Sequence, residues 1–212
     1  MKNSMEERKK IAKLRSFVHE KLHALQHQTD DAKVKAELAK LRRGIGKRPG
    51  EVPELLGYIL EGFPVELYGW GNGPSEAEWA IYTTMTLFAL HQQGKDIREE
   101  FMFRDTDYKQ KQYYSLGSAV GRLVLLNPEN IDAIRHRFYV AATAIDMKEL
   151  SWHLRGIIQQ LRRDNIPLDY ASLVDDLYCY QYPDKIPDIR LSWGQDFYRI
   201  IESKDDKRGG KQ

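Results

Sequence analysis

The sequence predicts an all-α fold, a compact multi-helix bundle of roughly eight or nine helices with a basic surface. Three observations lead there. Apolar residues recur at three- and four-residue spacing along most of the chain. Capping residues stand where each periodic run begins. No run alternates apolar and polar residues as a half-buried strand would. With 212 residues, 42% of them hydrophobic and 11% aromatic, the chain is long enough to bury a proper core. We expect one helical domain over residues 1–202 and a charged, disordered tail over 203–212.

The first helix is expected from about Met5 to Gln28, with Ile11, Leu14, Val18, Leu22 and Leu25 in one stripe. Thr29-Asp30-Asp31 breaks it and caps a second helix carrying Val34, Leu38 and Leu41. Gly44 stands where a C-terminal glycine cap belongs. From Gly44 to Pro74 the chain holds eight of its 15 glycines and four of its 8 prolines, and only a short helix near 54–60 interrupts this irregular stretch. Ser75-Glu76-Ala77-Glu78 reads as a capping box for a helix through Trp79, Tyr82, Met85, Leu87 and Leu90 to Gly94.

Another helix is expected over about 115–126, and Asn127-Pro128 offers a cap and a first-turn proline for the next, through Ile131, Ile134, Phe138 and Ala142. Asp146 and Glu149 repeat the capping logic before Leu150, Leu154, Ile157, Ile158 and Leu161. Pro167-Leu168-Asp169 opens a helix with Leu173, Leu177 and Tyr178 inward. A last helix, about 188–201, carries Leu191, Trp193, Phe197 and Ile200. Trp79, Trp152 and Trp193 are expected in the core, and Trp70 against its own loop.

Charge is polarised. The net charge is +2, yet residues 1–50 hold 14 Lys and Arg against 6 Asp and Glu, and residues 51–100 hold 2 against 9. Such asymmetry suits one face that attracts polyanions and another that avoids them or meets a basic neighbour. The single cysteine, Cys179, excludes an intramolecular disulfide and is expected as a buried structural thiol in a reducing compartment. No apolar run nears 18 residues, and the first twenty residues lack an apolar signal core, so a cytoplasmic location is expected.

Two basic sets carry the functional expectation. Arg42, Arg43, Lys47 and Arg48 lie in a glycine-bearing segment with no acidic residue between them. Arginine forks match phosphate oxygens, and glycine lets backbone lie close to another surface. Arg122, Arg135, Arg137, Arg155, Arg162 and Arg163 form the second set, spread over three consecutive helices. Gly117 and Gly121, at i and i+4, would admit either a neighbouring helix or a nucleic-acid backbone.

Catalytic motifs are weak by comparison. His19-Glu20-Lys21-Leu22-His23 fits H-E-x-x-H, and His27 continues the stripe. A zincin helix needs a substrate-binding sheet above it, and the spacing to His27 misses the metzincin pattern. The histidines should flank Leu22 on the solvent side, where adventitious metal binding is the milder expectation. No phosphate-binding loop is present, since the 44–50 segment lacks the Ser or Thr for Mg²⁺. We expect no enzyme, no resident metal and no cofactor.

An ordered series of motifs resembles the CasB small subunit of the type I-E CRISPR Cascade surveillance complex. It runs from Leu41-Arg42-Arg43-Gly44 through Trp79, Ser115-Leu116-Gly117 with Arg122-Leu123, and Arg137-Phe138. It continues through 153–158, Leu168-Asp169-Tyr170-Ala171 and Leu191 to Tyr198, covering about residues 38–200. The resemblance implies a non-enzymatic helical protein, present as two copies, that contacts backbone and large subunits. It further implies that the protein stabilises crRNA and the target DNA within the R-loop. By the same resemblance Arg42, Arg43, Arg122, Arg137 and Arg155 match the family's basic surface. Two alternatives stay open: an adaptor whose arginines dock acidic partner surfaces without touching nucleic acid, and a zinc hydrolase at His19, Glu20 and His23.

Overall fold

The computed structural model describes residues 2–71 and 73–209, with side chains over 5–71 and 73–203. Among the described residues the fold is nine α-helices and no strand. They are α1 (Lys2–His27), α2 (Asp31–Arg42), α3 (Glu54–Leu60), α4 (Glu76–His91), α5 (Leu116–Leu126), α6 (Ile131–Ala142), α7 (Met147–Arg163), α8 (Tyr170–Cys179) and α9 (Ile186–Gly209). Of the tail expected at 203–212, residues up to Gly209 fall within α9 and 210–212 lie outside the described residues. Among the described residues no helix is long and apolar enough to cross a membrane.

Helix α4 is the axis of the bundle. The capping box forms as expected: Glu78 N donates to Ser75 Oγ at 3.0 Å, and Ser75 N donates to Glu78 Oε2 at 2.6 Å. From Ala80 to His91 every residue is buried, because no charged side chain occurs between Trp79 and Leu90. A helical stretch with no charge on any face, only threonines and a terminal histidine among its apolar residues, can be wrapped on all sides. Helices α1, α2, α7 and α8 do the wrapping. Trp79 itself is only half-buried at the edge of this core.

Asp30, Asp146 and Asp169 each cap a helix by accepting from the backbone N–H three residues on. Asn127 does something different from its expected role. Its amide donates to Leu123 O at 3.0 Å and to Asp164 Oδ2 at 2.8 Å, closing α5 and tying it to the end of α7. A single 3₁₀ turn, Pro128–Asn130, then leads into α6.

Gly44 is needed for space rather than for a left-handed cap. A Cβ there would stand 2.6 Å from both Leu55 Cδ1 and Tyr82 Oη. The left-handed positions of this loop are Gly46 (φ +74°) and Gly50 (φ +95°). Gly117 and Gly121 resolve toward helix packing: Cβ atoms would lie 2.1 Å from Trp193 O and 2.9 Å from Phe197 O, so α9 occupies that face.

Three apolar residues sit outside the core where burial was expected. Trp152 is 61% exposed and Leu191 60%. Each is two residues, about 200° of helix, from buried residues of its own helix, so Leu150 and Leu154, or Trp193, turn inward while it turns out. Trp70, expected against its own loop, is 92% exposed. Trp193 is buried as expected, donating from Nε1 to Asp176 Oδ2 at 2.7 Å. Cys179 is half-buried rather than buried, and burial pushes its thiol pKa up to about 11, leaving it unreactive.

Candidate nucleic-acid interface

Eight of the ten basic residues fall into four places, and Arg43 and Arg135 stand apart from them. The clearest lies between α6 and α7, an open concavity of about 570 Å³ formed by Arg137, Trp152, His153, Arg155, Gly156, Gln159, Gln160 and Arg163. At Gly156 the Arg137 stem crosses the α7 backbone, 3.8 Å from where a Cβ would stand, an ordinary contact distance. The Arg155 guanidinium sits over the exposed Trp152 ring at 5.4 Å. A cation laid on an aromatic face is held in orientation without losing its donors. Two glutamines add amide donors on the same helix face. Sequence reading assigned Trp152 to the core and so missed it, although its offset from the Leu150–Leu154 stripe was visible.

Arg122 faces a different cavity, of about 580 Å³, which also contains Arg104 and Tyr114. Its guanidinium lies 4.7 Å from the Tyr114 ring centroid, and its Nη1 is buried without a hydrogen-bond partner. Burial lowers its pKa; Tyr114 offsets part of that and Arg104 adds to it. Arginine remains charged despite such shifts. Arg104 was not singled out from the sequence, because it stands alone in its loop.

Arg42 and Arg162 converge on the C-terminal end of α4. Arg42 Nη1 reaches Ala89 O at 3.4 Å, and Arg162 Nη1 donates to Gln93 Oε1 at 2.7 Å. The negative end of the helix dipole welcomes both charges. Arg42 has its pKa lowered by burial first and by Arg162 second. Lys47 and Arg48 extend from the 44–50 loop and are exposed. Arg135 is half-buried on α6, its Nε without a partner.

Two of the ten residues are engaged by carboxylates of their own chain. Arg43 Nη1 pairs with Glu54 Oε2 at 3.1 Å, and Arg163 Nε with Asp164 Oδ1 at 3.0 Å. The second pair holds the Asp164 carboxyl below its ordinary range, chiefly through that hydrogen bond. The other eight have no carboxylate partner within 4 Å among the described residues.

The histidine stripe also differs from expectation. His19 and His23 are half-buried, packed edge-on against Phe103, with His23 also against Phe101; only His27 is exposed. His19 Nε2 lies 3.1 Å from Asp105 Oδ2.

Residues 37–198 match the family model described as CRISPR-associated protein Cse2. This chain belongs to the Cse2 family. Among solved structures, CasB from Thermobifida fusca is 32% identical over 87% of this chain and 97% of that one, with a TM-score of 0.69. CasB from M. ruber is 21% identical, covering 92% of this chain and 97% of that one, at a TM-score of 0.61. A chain of a CRISPR RNA-guided surveillance complex is 20% identical, covering 94% and 99%, at a TM-score of 0.67. No curated protein matches. The expected resemblance to CasB therefore stands, and the helical fold is that of the Cse2 and CasB structures.

Proposed function

We propose that this Cse2-family chain is a non-catalytic small subunit of a crRNA-guided antiviral surveillance complex and grips nucleic-acid backbone by charge. The observation that carries the reading is the α6–α7 concavity, where Arg137 and Arg155 have no carboxylate partner and Trp152 is open to solvent. Phosphate-directed guanidinium groups position a polymer without reading its bases. RNA-guided complexes delegate sequence to base pairing, so a positive track suffices. Its partners are crRNA, single-stranded target DNA in the R-loop, the backbone and large subunits, and a second copy of itself.

Contact with about six phosphates makes log K fall against log salt with a slope of about −5 for duplex, less for single strands. In the reconstituted complex, Arg137→Glu with Arg155→Glu shortens the R-loop lifetime and flattens that slope by about 2. Arg43→Glu, starting from a paired residue, changes both less. An unchanged slope and lifetime in the double variant would refute the reading. It would favour the adaptor instead.

A further inference from the structure

We infer that His19, His23 and Asp105 form a zinc site that clamps α1 to the 101–107 segment, independently of any nucleic-acid role. One ligand atom from each residue lies within 4.8 Å of those of the other two. Two ligands at Zn–N and Zn–O distances of about 2.0–2.2 Å in a tetrahedral site stand about 3.4 Å apart. Small side-chain rotations therefore bring all three onto one ion. The histidines are one helical turn apart on α1, and the carboxylate comes from a segment 86 residues on in the chain.

Both sides of the site are fixed without the ion. His23 Nδ1 faces Gln26 Oε1 at 3.2 Å, an atom that only accepts, which puts the ring proton on Nδ1 and leaves the Nε2 lone pair free. Such an outer hydrogen bond is what orients a metal-binding imidazole. On the other side, Arg104 N donates to Leu168 O at 3.2 Å and Thr106 N to Asp169 Oδ2 at 2.9 Å. Asp105 is thus held between two anchored neighbours. A cavity of about 280 Å³ touching His19 and Asp105 leaves room for water as the fourth ligand. The cation among the residues lining that cavity, Arg15, is engaged by Asp175 at 2.6 Å. The His19–Asp105 contact alone needs no metal; the second imidazole, with a lone pair free, is what points to one. Imidazole and carboxylate donors suit zinc.

The test is calorimetric titration of the full-length, untagged protein with zinc chloride, paired with melting in zinc and in EDTA. One zinc per chain is expected, with a higher melting temperature that EDTA reverses. Asp105→Asn weakens binding about tenfold or more, as loss of a direct ligand should exceed an outer-sphere loss. His23→Gln does the same, while His27→Gln changes nothing. Asp105 is exposed, so Asp105→Asn melts like wild type in EDTA. Wild-type affinity in Asp105→Asn, loss of binding in His27→Gln, or binding only at millimolar zinc would each overturn the site.

Discussion

Gly117→Ala tests the tightest seam of the bundle. The new methyl would stand 2.1 Å from the Trp193 carbonyl oxygen, against an ordinary contact of at least 3.4 Å. More than an ångström must therefore be found between α5 and α9. The atom in the way is helix backbone, which cannot rotate aside as a side chain can. Even 0.5–1 Å of opening forfeits about a quarter to a half of each dispersion contact along the seam. Overpacking of this kind costs about 1–3 kcal/mol, and here the clash is at the severe end. Alanine returns up to about 1 kcal/mol through helix propensity. The net expectation is a loss of about 2 kcal/mol. For a chain of this size that lowers the melting temperature by roughly 4–8 °C. Gly194→Ala is the matched control, because that glycine also lies in a helix, α9, and a Cβ there meets no atom within 4 Å. It should gain up to about 1 kcal/mol and melt slightly higher. Differential scanning calorimetry of both variants reads the two opposite signs. A Gly117→Ala protein melting at or above wild type would refute so close an approach of α5 to α9.

Two further outcomes are expected. Burial holds His91 neutral and depresses its pKa from 6.5 to about 3, with Lys95 a lesser cause. Between those values the unfolded chain carries the extra proton, so stability falls as pH drops from about 6.5 towards 3. The His91 share is about 2 kcal/mol between pH 7 and 5. Urea midpoints at the two pH values should differ less in His91→Asn than in wild type; equal differences would remove His91 as the cause. Ser75→Ala removes the α4 cap and leaves Leu67 O without its 2.8 Å hydroxyl donor. It should cost about 1–2 kcal/mol in urea unfolding, and a loss below a few tenths would contradict the capping role.

Helix order was legible because local chemistry announces it: Asp30, Ser75, Asp146 and Asp169 cap as their neighbours in sequence imply. What escaped depends on partners distant along the chain. The capping role expected of Gly44 gave way to the crowding of Leu55 and Tyr82, which no local pattern encodes. Asn127 looked like an N-cap until Asp164 came within 2.8 Å. The basic segments were found as clusters of like charge, but the sequence could not show that Glu54 would engage Arg43. Trp152 and Leu191 were errors of phase, since two residues along a helix turn a side chain to the opposite face. Asp105 had no reason to be associated with a histidine on α1 before the chain folded.

The axial helix α4 has no charged side chain between Trp79 and Leu90, whereas the candidate arginines stand on α2, α5, α6, α7 and the 44–50 loop. Apart from Arg42 and Arg162, which touch its C-terminal end, ballast and rigging are thus carried by different timbers. Reversing a charge at Arg137 or Arg155 leaves the mast untouched, so a failure of such a variant to hold a polymer reports on grip and not on collapse.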